Sequence, residues 1–343
     1  LELARGDTTL EVTGTLRWVP FLSADLDEAL LLLGERSFSL GGPGRLDYID
    51  GMLTTPGMTL LTPGGSLFAS GSFHPERRYM ACAFRMRDFS PALLREDDSE
   101  LPFDAALADG VLELEGEIPI LDGRADLSLR DVRFGPVRLD SLDTAMRVEG
   151  RTITVDHAHA HKDRGLIEGS GTVRMPAPLY TVLEAEVFGP DLSPDSTLWD
   201  VRVGASEIIL GDWFGFMRQR VRPAGRLGAS LTLRGSSAAP EVDLRLKASG
   251  LEWRRFQADS VLFQGITGGG VAFIDTLDVW RLGKRVHLEG VLPVDLSIKP
   301  FAYGVGEGAL DLELSADGGS LENLRLTPWV GRASGTFAGS LRV

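Results

Sequence analysis

Aliphatic residues alternate with polar ones along most of this chain. Leu112/Leu114, Leu127/Leu129, Leu231/Leu233, Val242/Leu244/Leu246, Val286/Leu288 and Leu310/Leu312/Leu314 are each separated by Glu, Ser, Thr, Asp, Arg or His. A period of two puts one set of side chains on each side of a strand, so one side is apolar and the other wet. Runs of four to eight such residues recur between Gly, Pro or Asp-Gly turns, as in Gly235-Ser-Ser-Ala-Ala-Pro240 and Gly268-Gly-Gly270. That spacing predicts antiparallel hairpins rather than parallel strands with crossover helices.

Helical signals are few and short. Ser23 to Leu33 has an N-cap serine, acids Asp25, Asp27 and Glu28 in its first turn, and Gly34 after it, which favours a helix. A strand is the alternative reading of its leucine run. Pro91 to Leu94 and Asp212 to Arg220 also read as short helices, near junctions at about 95–110 and 195–228. Glu96-Asp97-Asp98-Ser99-Glu100 reads as a solvated connector at the first of these.

The strand pattern is itself repeated. Thr9-Leu10-Glu11-Val12-Thr13-Gly14 reads like Val111-Leu112-Glu113-Leu114-Glu115-Gly116, and that like Ser230-Leu231-Thr232-Leu233-Arg234-Gly235. The second and third copies stay in register at a spacing of 119 residues (231 minus 112) through Gly150/Gly269 and Asp156/Asp275. Long-period repetition predicts an array: unit 1 over 1–95, unit 2 over 96–195, unit 3 over 196–300, and a further unit opening over 301–343. Leu1 in place of Met, and a last glycine-punctuated strand pair that stops short, give the expectation of a piece of a longer chain.

Composition narrows the function classes. With 43% hydrophobic and 24% charged residues the chain is expected to fold. A formal charge of −14 disfavours nucleic acid and adsorption to anionic headgroups. The single Cys82 closes no intrachain disulfide. The longest aliphatic run, Ala29 to Leu33, is far below the roughly 20 residues of a membrane-spanning helix, so no transmembrane span is expected in this segment.

From Gly225 to Leu246 the chain reads GRLGASLTLRGSSAAPEVDLRL, which resembles the repeated strand phrase of the TamB/AsmA-like superfamily. Leu288-Glu-Gly-Val-Leu-Pro293 resembles the strand that closes such units, and Ser66 to Ser72 does so more loosely. Asp243 departs from the phrase, which has glycine there. The resemblance implies an all-β, elongated, curled, mostly antiparallel amphipathic sheet of the β-taco or groove type, with a few short helices at unit junctions. It further implies a periplasmic, envelope-located, membrane-associated protein of lipid transport or outer-membrane biogenesis.

Residue chemistry offers little beside this. His157, His159 and His161 share one side of a strand, and such a pair with a third ligand can hold zinc. The corresponding positions 119 residues on are Thr276, Asp278 and Trp280, so a wet strand face is the main reading and a metal the lesser one. Gly265 to Gly270 lacks the Lys-Ser/Thr ending of a phosphate cradle. No Gly-x-Ser-x-Gly elbow occurs, Cys82 lies in an apolar alternation, and Glu113, Glu115, Asp311 and Glu313 alternate with leucine as solvated carboxylates. Trp18, Trp253, Trp280 and Trp329 fall near strand ends or turns, where core packing explains them and a membrane rim or partner contact is the second reading.

The resulting expectation is a non-enzymatic β-groove segment with no cofactor, carrying phospholipid as cargo. Its lining would be Leu112, Leu114, Leu127, Leu129, Leu231, Leu233, Val242, Leu244, Leu246, Val286, Leu288, Leu310, Leu312 and Leu314. Partners would be acyl chains and an envelope or membrane protein complex. The alternative is a structural or docking subunit with the same sheet closed on a protein core.

Overall fold

The computed structural model describes residues 2–5, 8–18, 21–33, 36–91, 103–118, 120–134, 137–177, 197–213, 223–253, 256–295, 304–305, 310–320 and 336–342. Among them the chain is all-β, antiparallel throughout, with one α-helix of four residues, as the alternation predicts. By compactness the chain divides into two units: Leu1–Gly135 with Leu139–His157 and Ala177–Leu192, and Pro136–Arg138 with Ala158–Pro176 and Ser193–Val343.

The first unit holds β1 (Glu2–Arg5), β2 (Thr8–Arg17), β3 (Leu22–Leu33), β4 (Arg36–Leu40), β5 (Gly44–Ile49), β6 (Met52–Thr62), β7 (Gly65–His74), β8 (Tyr79–Phe89), β9 (Phe103–Glu117), β10 (Ile120–Phe134) and nearly all of β11 (Val137–Glu149). Each of β6 to β9 pairs with the next in an antiparallel ladder. β3 pairs with β2 on one side and with both β4 and β5 on the other. The segment Ser23 to Leu33, expected as a helix, is therefore strand. Its cap signals are worth about 1 kcal/mol. They lose to backbone pairing on both edges, and a run of four leucines carries no period of its own to resist.

β12 (Thr152–Lys162) lies where the division falls. The second unit holds β13 (Gly165–Arg174), β14 (Leu198–Ile209), α1 (Leu210–Trp213), β15 (Ala224–Ser236), β16 (Pro240–Trp253), β17 (Phe256–Gly268), β18 (Val271–Arg281), β19 (Lys284–Asp295), β20 (Gly304–Val305), β21 (Asp311–Ser320) and β22 (Thr336–Arg342). From β13 to β19 each strand pairs with the next, and the ladder continues through β21 to β22. Of the helix expected over Asp212 to Arg220, Asp212 and Trp213 lie in α1, and residues 214–222 lie outside the described ones. So do the acidic connector at 96–100 and all but Pro91 of the other expected helix.

Bulges decide where the core lies. The β8–β9 register slips between Met86 and Phe89, and the β14–β15 register between Ala205 and Ile208. Asp88 and Glu207, inside these slips, have φ of 46° and 52°, a left-handed conformation that Asp tolerates better than most side chains. An extra residue reverses the phase of alternation, so the next side chain turns inward. Phe89 and Ile208 are accordingly buried. Asp131, with φ of 50°, stands likewise before the fully buried Val132.

Candidate functional site

The pairing register assembles the leucines into rows. In the second unit Gly169, Val203, Leu231, Leu244, Gly265, Ile274, Gly290 and Leu312 face one another in turn from β13 to β21. A parallel row runs Ile167, Ala205, Ala229, Leu246, Phe263, Leu277, Leu288, Leu314 and Leu341. A third runs Ile208, Leu227, Ala248, Val261, Val279, Val286, Ala316 and Gly339. Leu233 and Val242 belong to a fourth, between Val201 and Thr267. Neighbouring rows lie on the same side because their members are two residues apart on each strand, or three where a bulge intervenes.

This apolar side differs in depth from row to row. In the third row Ile208, Ala248, Val261 and Ala316 are buried, with Leu227, Leu246 and Leu277 packed against that floor. Leu231, Leu233, Val242, Leu244, Leu312 and Leu314 are only half-buried, and Leu310, just before β21, is exposed.

The first unit is built the same way. Met58, Ala69, Phe84, Leu112 and Ala125 form one row; Gly71, Cys82, Leu114 and Gly123 form the next. Leu127 ends a row through Leu60, Leu67, Met86 and Gly110, and Leu129 sits with Phe89 and Ala108 in the buried one. Thus the nine expected lining residues from Leu231 to Leu314, Leu310 apart, share one side of the second unit, and the four from Leu112 to Leu129 share one side of the first. Burial raises the Cys82 thiol above its ordinary range.

A separate depression of about 590 Å³ lies in the first unit. Its lining includes Ala81/Ala83, Glu113/Glu115, Asp122/Arg124 and Arg147/Glu149. Pairs two apart share a side, so it opens on the polar side, behind Leu114. Several of its charges are engaged: Glu115 accepts from the Tyr79 hydroxyl at 2.9 Å, Asp122 from the backbone N–H of Gly150 at 2.7 Å, and Arg147 pairs with Asp156 at 2.8 Å.

The polar side of the second unit carries a charge cluster that sequence reasoning missed. Asp278 on β18 is only 5% exposed. It accepts from Arg285 at 2.7 Å, and its Oδ1 lies 2.7 Å from Nδ1 of His287 on β19. His287 Nε2 lies 3.2 Å from Glu289, and Arg285 stacks 5.9 Å from the Trp280 ring. Burial alone would raise the Asp278 carboxyl, but the hydrogen bonds from Arg285 and His287 outweigh it and hold the group below its usual range. The repeat spacing offered a signal. Asp278 and His287 stand 119 residues after His159 and Glu168, an acid–imidazole pair in exchanged order whose nearest atoms are 3.9 Å apart.

His157, His159 and His161 alternate with Ala158 and Ala160 on β12. The His157 carbonyl accepts from Thr144 at 3.2 Å. Among the described residues no three His, Cys, Asp or Glu side chains converge as metal ligands, and no helix is long and apolar enough to cross a membrane. Gly269 and Gly270 form the turn between β17 and β18. Trp329 lies outside the described residues.

No family model, curated protein or solved structure matches the chain.

Proposed function

We propose that the chain is a non-enzymatic β-groove segment of TamB/AsmA-like type, which shields lipid acyl chains during movement between envelope membranes. The observation that carries this reading is a set of three apolar rows in the second unit, each spanning eight or more strands with glycine at Gly169, Gly265, Gly290 and Gly339, and half-buried above their floor. Eight strands at about 4.8 Å spacing give each row roughly 34 Å along its course. Burying an acyl chain of some 16 carbons there is worth on the order of 10 kcal/mol, at about 0.8 kcal/mol per methylene. Such recognition needs no side-chain chemistry, in keeping with polar sides made of mutually satisfied ion pairs.

A repeat array supports the same reading. β11 and β17, and β12 and β18, begin and end 119 residues apart, and Asp131 and Gly250 share a left-handed backbone at that spacing. The groove is accordingly read as one built by adding copies of a six-strand phrase.

The test is organic extraction and native mass spectrometry of the purified chain, with phospholipid masses expected in stoichiometric amount. A lipid-free chain whose half-buried rows reject an apolar fluorescent probe would overturn the proposal. It would leave the second reading, a docking subunit with a protein core, which the buried row from Ile208 to Ala316 favours.

A further inference from the structure

The apolar side of the first unit is closed at one end of its strands and open at the other. At the closed end Phe89, Ala108 and Leu129 are buried together. At the other end the register runs Leu22 to Tyr48, Tyr48 to Leu53 and Leu53 to Phe73, and Trp18 follows directly on the Arg17–Ser23 pair. Ile49 ends β5 and Ile120 opens β10 at this same end of the strands, each one residue out of phase with the apolar side and so facing the other side of the sheet. Trp18 is 75% and Ile120 55% exposed, and Tyr48, Ile49, Leu53 and Phe73 are exposed as well.

Large apolar side chains gathered at one strand end are unusual on a water-facing surface. They include Trp and Tyr, whose rings combine an apolar body with a polar edge and favour the bilayer interface. The turns and strand termini at this end carry Arg17, Arg77, Arg78 and Arg151 against Asp50, Glu76, Glu117 and Glu149, an even balance in a chain of net charge −14. That local balance removes the repulsion an acidic protein meets at a membrane, without building the polybasic patch that selects anionic lipid.

We infer that this open end of the first unit docks on a zwitterionic phospholipid bilayer, seating Trp18, Tyr48, Ile49 and Ile120 among the headgroups. Resting on the lipid-handling reading, the contact places the open end of the apolar side against the source or acceptor of acyl chains.

Vesicle flotation with the full chain tests it, using phosphatidylcholine/phosphatidylethanolamine vesicles and a second set containing phosphatidylglycerol. The wild type should float with the zwitterionic set. Trp18→Glu and Ile120→Glu, both at exposed positions, should each reduce flotation at least tenfold with unchanged circular dichroism. Equal flotation of wild type and variants overturns the inference, as does absence of flotation. So does flotation that requires phosphatidylglycerol and disappears in salt. If the variants instead abolish a sedimenting dimer while no vesicles are bound, the end is a self-association surface and the inference fails. Extracted lipid, measured in parallel, separates the two ideas: an empty groove with intact flotation sinks only the cargo reading.

Discussion

At the level of single residues, glycine and aspartate set the backbone of these strands. Gly290 lies mid-strand with φ of 135°, and a Cβ there would stand 2.1 Å from the carbonyl oxygen of Asp311 on the neighbouring strand. Gly171 repeats the arrangement 119 residues earlier, 2.2 Å from the Asp200 carbonyl. Both the conformation and the approach exclude a side chain. Gly290→Ala is expected to lose about 3 kcal/mol in urea unfolding. Asp278 makes a different prediction, through protons. Its folded-state value is depressed below the unfolded one, so its contribution is complete above about pH 4 and lost as pH falls through the lower folded value. Asp109, held down by the Asp88 N–H and Arg130, acts in the same direction. Asp278→Asn should cost about 1–3 kcal/mol at pH 7, because Arg285 and His287 lose a charged acceptor. The gap from wild type should narrow at pH 3; an unchanged gap would refute the assignment.

At the level of strands, the contrast is between rows that are closed by protein and rows that are not. Phe89→Ala should cost about 3–5 kcal/mol, since its ring is buried against Ala108 and Leu129 and leaves a cavity. Leu231→Glu and Leu312→Arg fall in the half-buried rows. In a lipid groove they should abolish bound phospholipid with only a modest drop in melting temperature. In a closed core the same charges would be buried without partners and cost several kcal/mol. Measuring both quantities on the same variants decides between the two readings. β3 belongs at this level too. Its local capping pattern is a helix pattern, and only the presence of β2 on one edge and β4 and β5 on the other makes it a strand.

At the level of the molecule, an acidic chain places its charges in ion pairs on one side of each unit and its aliphatics on the other. Arg130 with Asp88 and Asp109, Arg147 with Asp156, and Arg342 with Asp311 are examples. Exposed pairs of this kind add little stability each. They keep the polar side wet and leave the apolar side as the main surface for a partner, although Leu61, Leu262, Ile266 and Phe273 also lie exposed on the polar side.

Alternation of Leu with Glu, Asp, Thr or Arg was enough to specify strands, antiparallel hairpins and which leucines would share a side, because side-chain direction along a strand is a property of neighbouring residues. The three-dimensional structure alone decided how deep each row lies. Nothing in the chain text marks Asp88 or Glu207 as bulge residues, yet those bulges turn Phe89 and Ile208 inward. The burial of Asp278 depends on Arg285 and His287 arriving from the next strand, and the exposure of Trp18 on where the described strands end. Depth comes from what other segments place overhead, and contacts between distant segments leave no period in the sequence.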